Sequence, residues 1–327
     1  VGDLDDPDTE AEYLREIGSM QRLFSVEPEV VACDLHPDYA STRLAQELRM
    51  PLVTVQHHHA HFASVLAEHA IQSPALGFIW DGTGYGGDGT IWGGETLFGT
   101  ISGSKRIGHI LPFRLFGGEA AVHEPWRVAL SAAEIALDRA KALQLFPARA
   151  REAEVLLRAS DAGLNAPVTT SMGRLFDAVA ALCGLRETVS YEGQAAIALE
   201  QIADESEQES YQFSIVREAD GWIYDWRSVV QGVILDAASG VLPGRISMRF
   251  HRALAELLAN AAETHRAESG CNIAALSGGC FQNELLLRLG DAALKQKGFT
   301  VLINRLVPCN DGGTSYGQAA VAAALSR

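Results

Sequence analysis

Strand-like and helix-like segments alternate at both ends of this 327-residue sequence, and this alternation restricts the possible folds more than any other feature. Near the N-terminus, β-branched runs at 30–33 and 52–55 enclose a helical pattern at 41–48. Such a strand, helix and strand are typical of a crossover between parallel strands. The C-terminal part repeats the alternation, with strands predicted at 272–276 and 300–303 and helices predicted at 281–296 and 317–325.

Between these ends, the sequence predicts hairpins and then a helical block. Strand-like pieces separated by glycines lie at 76–80, 90–92, 96–101 and 106–111, which is typical of antiparallel hairpins. Residues 126–158 are rich in alanine and leucine and favour helix. Further helices are predicted at 5–24, 57–69, 171–185, 194–207 and 244–265, and further strands at 211–215 and 222–225. Together these elements predict a two-lobed α/β protein with a cleft.

Charge and cysteine content exclude several classes of protein. Acidic residues outnumber basic residues 41 to 26, so the net charge of −15 argues against a general binder of nucleic-acid backbones. The sequence contains no run of about 18 apolar residues, so no membrane-spanning helix is predicted. Five cysteines without a CxxC pair are typical of a reduced, cytoplasmic protein that lacks a zinc ribbon. We therefore expect neither nucleic acid nor a membrane as a partner.

Four of the ten histidines, His57, His58, His59 and His61, lie within five residues. If a helix begins here, His57 and His61 lie one turn apart and can reach a single ion. His58 and His61, three residues apart, serve equally, so the sequence leaves the helical register open. His59 faces away from His61 in both registers. A row of hydrogen-bonded histidines at a helix start is the alternative, but the density of the cluster favours a metal site.

A glycine-rich stretch, 81–87, follows an apolar strand directly. Its glycines allow positive φ angles and close approach of backbone N–H groups to a phosphate. Asp81 would repel a phosphate, but it can hold a cation that the phosphates also contact. The stretch fits neither a Walker loop nor a Rossmann fingerprint, and an ordinary glycine-rich hairpin is the alternative.

Two later turns connect a predicted strand to a predicted helix. At 277–280, a Ser-Gly-Gly-Cys turn directs backbone N–H groups toward an anion or nucleotide, and Asn283 can contact a base edge or a ribose. Cys280 could be a nucleophile, but no basic residue stands beside it, so a buried filler is favoured. Asp311 either caps the last helix or adds a second carboxylate to the cleft.

The central block adds two acidic candidates. Asp177 lies on a predicted helix whose other residues are apolar, and Glu192 and Gly193 form a predicted turn. These carboxylates could hydrogen-bond ribose hydroxyls. The residues alone favour ordinary capping and turn roles.

Taken together and in order, these motifs resemble one family. The segments that carry the resemblance are QHHHAH (56–61), DGTGYGGDGTIWGGE (81–95), GRLFDAVAALCGL (173–185), SYEGQAAIALE (190–200), LSGGCFQN (276–283) and NDGGTSYGQA (310–319). They are similar to the C-terminal, TsaD-like domain of HypF, the carbamoyltransferase of nickel–iron hydrogenase maturation. The resemblance covers nearly the whole chain.

The resemblance implies a specific α/β fold. Two RNase H-like lobes of the actin, sugar-kinase and Hsp70 ATPase type would surround a nucleotide and metal cleft. One TsaD-like domain would span residues 1–327, with lobes near 1–120 and 121–327. We expect the sequence to lack the acylphosphatase, zinc-finger and YrdC-like modules of full-length members and to begin after the first strands of its first lobe.

The resemblance also implies roles for individual residues. The metal-binding and catalytic residues would be His57, His61, Asp81 and Asp311, and the ion would be zinc or iron. The nucleotide-binding residues would be Gly82, Thr83, Gly84, Tyr85, Gly87, Gly173, Asp177, Glu192, Gly193, Gly278, Gly279 and Asn283.

The implied activity is an ATP-dependent carbamoyl transfer. The domain would move a carbamoyl group from carbamoyl-adenylate to the C-terminal cysteine of the partner HypE, in synthesis of the cyanide ligands of the hydrogenase. A TsaD-type transferase that makes threonylcarbamoyl-adenosine in tRNA is an alternative, disfavoured by the acidic charge and the SYEGQAA segment. A non-catalytic nucleotide-binding scaffold for HypE is the other alternative.

Overall fold

The computed structural model describes Leu4 and residues 6–326. Its strands are β1 (Val31–Asp34), β2 (Leu52–Val55), β3 (Ala75–Tyr85), β4 (Ile91–Thr100), β5 (Gly103–Ile110), β6 (Phe113–Arg114), β7 (Val168–Thr169), β8 (Ser214–Glu218), β9 (Gly221–Asp225), β10 (Ile273–Ser277) and β11 (Thr300–Ile303). Its helices are α1 (Pro7–Phe24), α2 (Ala40–Glu47), α3 (His57–Glu68), α4 (Ala120–His123), α5 (Pro125–Ala136), α6 (Arg139–Gln144), α7 (Ala150–Asp161), α8 (Met172–Leu182), α9 (Gln194–Gln201), α10 (Arg227–Ala238), α11 (Pro243–Ser269), α12 (Glu284–Gln296) and α13 (Thr314–Leu325). Short 3-10 helices lie at Pro147–Arg149, Gly279–Gln282 and Asp311–Gly313.

The described strands form two sheets. Strands β1 and β2 pair in parallel as a two-stranded sheet, which confirms the predicted N-terminal crossover. The larger, nine-stranded sheet has the order β11-β10-β3-β4-β5-β9-β8, with β6 and β7 attached beside β4. Strand β10 lies parallel to β3 and β11, whereas β3, β4 and β5 are antiparallel, so the predicted mixture of crossovers and hairpins is confirmed. Strands from both sides of residue 120 share this sheet, and the lobe boundary near that residue stays a prediction.

The first part of strand β3, residues 75–80, is a continuous apolar run because both of its faces are buried there. Leu76, Phe78 and Trp80 face the main core, whereas Ala75 and Ile79 face a second cluster on the opposite side. Helices α8 and α11 pack against the first face and helix α3 packs against the second. The sheet therefore holds α3, which carries the histidines, directly over β3 and β10.

Several predicted bounds need correction. The helix predicted at 194–207 ends at Gln201, because the N–H group of Asp204 donates instead to the carbonyl of Gly244. The predicted helical block at 126–158 contains three helices, and helix α10 was not predicted at all. The helix predicted from Asp5 is confirmed from Pro7 onward, and Asp5 itself lies outside the described residues. None of the described helices is long and apolar enough to cross a membrane.

Candidate metal and nucleotide site

The start of helix α3 decides the histidine register. The side chain of Gln56 caps the helix by accepting from the N–H group of His59 at 2.8 Å, and its amide donates to the carbonyl of Tyr85 at 3.0 Å. The helix therefore begins at His57, which places His57 and His61 one turn apart on the same face. The structure selects this pair over the alternative pair of His58 and His61.

Four of the predicted residues, His57, His61, Asp81 and Asp311, form one cluster, here called the cation site. One ligand atom from each lies within 4.8 Å of the others. Asp81 Oδ2 is 3.1 Å from His61 Nε2 and 3.4 Å from His57 Nε2. Asp311 Oδ1 is 3.4 Å from each of the same two nitrogens. These residues extend from position 57 to position 311 of the sequence. The fold brings them together into the cluster that the motifs predicted.

The cluster contains polar atoms without partners, which is the observation that fits a cation. His57 Nε2, His61 Nε2 and Asp81 Oδ2 are buried and have no hydrogen-bond partner. Buried polar atoms are nearly always paired, so three unpartnered atoms around one point suit a ligand that bonds to all of them. Imidazole nitrogens and carboxylate oxygens are the donor atoms that zinc and iron accept. The residues present therefore fit a divalent metal ion.

Electrostatics support the same conclusion. Burial opposes the charged form of Asp81, but the nearby imidazoles of His57 and His61 outweigh it and hold the pKa of Asp81 well below its ordinary value. The pKa of Asp311 is lowered as well, against the partial desolvation of this otherwise exposed side chain, by the same two histidines. Burial also works against protonation of His57, yet the carboxylates around it, beginning with Asp311, raise its pKa well above normal. Two carboxylates thus require positive charge, which either protons or a metal ion can supply.

The other two clustered histidines point elsewhere. His59 Nε2 lies 3.0 Å from the carbonyl of Ile101, and its Nδ1 lies 2.8 Å from the hydroxyl of Ser104. His58 is fully buried, with Nδ1 3.2 Å from the side-chain amide of Gln56. The prediction that His59 faces away from His61 is confirmed.

Asp81 connects two segments that are distant in sequence. The pairing of β3 with β4 shifts register between Trp80 and Gly84, so Asp81 lies at an irregularity within β3. Its Oδ1 accepts from the N–H groups of Gly82 at 2.8 Å and Gly279 at 3.1 Å. The other oxygen, Oδ2, remains for the cation site. The carboxylate therefore links β3 to the predicted nucleotide turn that follows β10.

The predicted reason for the glycines at 82–87 needs correction. Gly82 and Gly84 belong to β3 and neither has a positive φ angle. A Cβ atom on Gly84 would lie 2.3 Å from Cε1 of His58, and one on Gly82 would lie 2.6 Å from Oε1 of Glu192. Gly84 is therefore required by the buried ring of His58, whereas at Gly82 the exposed Glu192 side chain could move aside, and neither glycine serves a left-handed loop.

Asp311 is the exposed member of the cation site, with 73% of its side chain accessible. The last helix, α13, has Gly313 at its N-cap, and the side chain of Asn310 caps the short 3-10 helix before it, so the capping alternative for Asp311 is wrong. The preceding loop is held to helix α3 because Glu68 accepts from the N–H groups of Arg305 at 2.9 Å and Leu306 at 2.8 Å. The site is thus open on the side of Asp311.

A second charged cluster, here called the Arg174 group, consists of Arg174, Asp177 and Glu192. Arg174 Nε lies 3.1 Å from Asp177 Oδ2, and Arg174 Nη2 lies 3.1 Å from Glu192 Oε1. Arg174 and Asp177 are buried, whereas Glu192 is exposed on its turn. Burial raises the pKa of Asp177 to about 6, although Arg174 opposes this shift. Arg174 Nη1 is buried and has no partner.

The remaining predicted nucleotide residues divide into two sets. A Cβ atom on Gly173 would lie 2.8 Å from Cα of Gly82, and one on Gly279 would lie 2.8 Å from Asp81 Oδ1, so these glycines adjoin the Asp81 segment. Gly278 has a φ angle of 99° and abuts the carbonyl of Trp80. Asn283 lies apart from them, because its side chain caps α12 through the N–H group of Leu286. The segments of Asp81, Gly173 and Gly279 therefore meet at one junction. Five predicted nucleotide-binding residues are not linked to this junction by a direct contact: Thr83, Tyr85, Gly87, Gly193 and Asn283.

Sequence reasoning missed two residues that contact predicted ones. Asp34 lies 3.0 Å from Nδ1 of His57, and its only signal was its position directly after a predicted strand. Arg174 lies inside the GRLFD motif but was not assigned a role. Cys280, considered as a nucleophile, is half-buried, and desolvation of its thiol raises its pKa well above normal, so the thiol stays neutral.

Comparison with known protein families agrees with this geometry. The model of the carbamoyltransferase Kae1-like domain, second subdomain, matches residues 77–318, and the model of the HypF Kae1-like domain matches residues 1–68. The chain belongs to the HypF Kae1-like domain family. Its mixed α/β fold, with a central mixed sheet, is therefore the fold of a HypF Kae1-like domain.

Individual relatives extend the comparison. The HypF Kae1-like chain is 39% identical to Carbamoyltransferase HypF2 of Cupriavidus necator, across 98% of this chain and 43% of that protein. It is 37% identical to Carbamoyltransferase HypF of a Synechocystis species, across 97% of this chain and 43% of that protein. A crystal structure of full-length HypF in the phosphate- and nucleotide-bound form matches with a TM-score of 0.95 and 40% identity, over 99% of this chain and 43% of that one. The chain thus spans about two-fifths of the length of these relatives.

Proposed function

We propose that this chain transfers a carbamoyl group from carbamoyl-adenylate to the C-terminal cysteine of HypE during synthesis of the cyanide ligands of nickel–iron hydrogenase. The observation that supports this most directly is the cation site, where three buried ligand atoms lack partners beside a predicted nucleotide turn. The family supports it too, since the relatives named above are carbamoyltransferases. For the fold we propose two RNase H-like lobes of the actin and Hsp70 ATPase type, divided near residue 120, and for the location the cytoplasm.

The proposed ion is zinc or iron, held by Nε2 of His57 and His61 and by the carboxylates of Asp81 and Asp311. A bound divalent ion supplies Lewis-acid polarisation of a carbonyl or phosphate oxygen. The protein contributes the geometry: helix α3 fixes the two histidines, and Asp81 is held by the N–H groups of Gly82 and Gly279. The accessible side of Asp311 is where the substrate would enter.

We place the adenylate along the junction of three segments. The turn after β10 borders this junction, because the N–H group of Gly279 donates to Asp81 and that of Gly278 donates to the carbonyl of Cys309. These bonds fix the turn beside the space proposed for the phosphate. Without Cβ atoms, the segments of Gly82 and Gly173 approach each other closely, and the Arg174 group borders the same junction. The related HypF structure holds phosphate and a nucleotide, which supports a nucleotide at this domain.

The transfer needs no nucleophile from this chain. The thiolate of the acceptor attacks the carbamoyl carbon, an S–C bond forms, and the C–O bond to the phosphate breaks so that AMP leaves with the electron pair. The neutral, half-buried thiol of Cys280 is consistent with an acceptor that comes from the partner.

The test uses the purified 327-residue chain supplied with carbamoyl-adenylate and HypE. We expect His61→Ala and Asp311→Ala each to lose the metal ion and to abolish labelling of the HypE cysteine, because the remaining groups cannot complete the coordination shell. His59→Ala is the matched control from the same helix, and it should keep both. Metal content by mass spectrometry and folding by circular dichroism complete the measurement.

Two outcomes would overturn the proposal. Retained metal and transfer in the Asp311→Ala variant, together with their loss in His59→Ala, would place the ion elsewhere. Nucleotide binding without any transfer in the wild-type chain would favour the scaffold alternative.

A further inference from the structure

A carboxylate outside the cation site contacts one of its histidines. Asp34 ends strand β1 and is only 6% exposed. Its Oδ2 lies 3.0 Å from Nδ1 of His57, and its Oδ1 accepts from the N–H group of His36 at 2.8 Å. The hydroxyl of Thr42 donates to the backbone carbonyl of Asp34 at 3.3 Å. Both carboxylate oxygens and the backbone of Asp34 are therefore held in place.

This contact decides which nitrogen of His57 faces the cation site. A carboxylate only accepts hydrogen bonds, so Nδ1 of His57 must carry the hydrogen and donate it to Asp34. The other nitrogen, Nε2, faces Asp81 and Asp311 at 3.4 Å, and in the neutral ring it is the nitrogen that carries the lone pair for a cation. His61 offers a contrast within the same pair, because its Nδ1 is buried and has no partner.

We infer that Asp34 is a positioning residue that fixes the tautomer and ring orientation of His57, so that Nε2 is presented to the cation. The inference rests on the proposed cation site. Asp34 also links the two sheets through His57, because β1 belongs to the small sheet whereas Asp81 belongs to the nine-stranded one. A correct site then requires β1 to be in place.

The expected effect is on metal affinity. Loss of a carboxylate that orients a ligating histidine typically weakens metal binding about 10- to 100-fold. Asp34→Ala should therefore raise the zinc dissociation constant of the full chain by a factor in this range, measured by competition with a chelating indicator. Asp34→Asn keeps an oxygen acceptor and should recover part of that loss.

A double variant separates positioning from general damage. If Asp34 acts only through His57, Asp34→Ala combined with His57→Ala should bind zinc no more weakly than His57→Ala alone. Thr42→Val is the matched control, since it removes a bond to the backbone of Asp34 but leaves its carboxylate. It should keep wild-type zinc affinity.

The failures are distinguishable. Unchanged zinc affinity in His57→Ala would overturn the cation site itself. Weakened binding in His57→Ala but not in Asp34→Ala would overturn the positioning role alone. Equal weakening by Thr42→Val and Asp34→Ala, or a further loss in the double variant, would show that a loosened β1 causes the effect and would also overturn that role.

Discussion

The cation site and the Arg174 group both bury acidic side chains, but they balance the charge in different ways. In the cation site, two aspartates face two histidines whose Nε2 atoms have no hydrogen-bond partner. In the Arg174 group, a guanidinium lies 3.1 Å from each of two carboxylates. Its three members lie within residues 174–192, whereas those of the cation site extend from 57 to 311. The Arg174 group carries its own cation, and the cation site does not.

This difference appears in the pKa directions. In the cation site, the histidines overcome burial and the pKa values of Asp81 and Asp311 are lowered. In the Arg174 group, burial prevails over the charge of Arg174 and, together with the charge of Glu192, raises the pKa of Asp177 to about 6. Buried charged groups that have no partner within the protein are concentrated at ligand-binding sites. We therefore expect the two clusters to respond differently to substitution.

The largest effect on stability should come from the Arg174 group. Arg174→Met leaves the buried carboxylate of Asp177 without its cation, and breaking a buried ion pair typically costs about 3–5 kcal/mol. Urea unfolding should show a decrease of this size in the free energy of unfolding. Adding Asp177→Leu to the same chain should recover most of it, because no unpaired charge remains. A single variant as stable as the wild type would mean that the pair does not support the fold.

The next prediction uses a fully buried carboxyl group, Glu95, whose Oε1 lies 3.8 Å from Nη1 of Arg106. Glu95 is fully buried; burial raises its pKa to about 8, although the hydrogen bond with Thr170 opposes the shift. A neutral Glu95 can donate to the hydroxyl of Thr170, which then donates to the carbonyl of Ile91. Glutamine can make the same contacts at every pH, so Glu95→Gln should fold normally.

The sign of the pH dependence follows from the raised pKa. The folded state holds the proton of Glu95 more tightly than the unfolded state, so the stabilisation is complete below the unfolded pKa near 4.5 and is lost as pH rises through about 8. Relative to Glu95→Gln, the wild-type chain should lose a few kcal/mol, to order of magnitude, between pH 5 and pH 9. Paired urea titrations at these two pH values measure the difference. A constant difference would show that Glu95 ionises normally and that burial alone does not raise a carboxyl pKa here.

The sequence predicted the local parts of this molecule better than the distant ones. The β-branched run at 300–303 forms β11 over the predicted residues, because its signal is contained in four neighbouring residues. Helix α10, in contrast, was not predicted. Its Gly232 is required by packing, because a Cβ atom there would lie 2.7 Å from the ring of Tyr211. That reason is invisible in the sequence, since Tyr211 lies in another segment.

The candidate site shows the same limit. The spacing of His57 and His61 predicts a shared helical face without any tertiary information. The approach of Asp81 to the turn at Gly279 depends on the parallel pairing of β3 with β10, which only the fold establishes. Asp34 was missed because a single aspartate after a strand is also typical of an ordinary turn.

A smaller effect should follow from loosening the open side of the cation site. Glu68 accepts from the N–H groups of Arg305 and Leu306, in the loop that leads to Asp311. Glu68→Ala should cost about 1–2 kcal/mol of stability, and zinc affinity should fall several-fold because Asp311 is less well placed. Glu68→Gln keeps an oxygen acceptor and should restore both. Equal affinity in all three chains would show that Asp311 does not depend on this anchor.

The smallest effect should come from the exposed member of the Arg174 group. Glu192→Gln keeps an oxygen for Arg174, and exposed ion pairs contribute at most about 1 kcal/mol, so the free energy of unfolding should hardly change. The charge of Glu192 nevertheless helps to raise the pKa of Asp177. Its removal should lower that pKa from about 6, as measured by NMR titration of the Asp177 carboxyl carbon. An unchanged or higher pKa would mean that burial alone determines the protonation of Asp177, and that Arg174 is not divided between two acids.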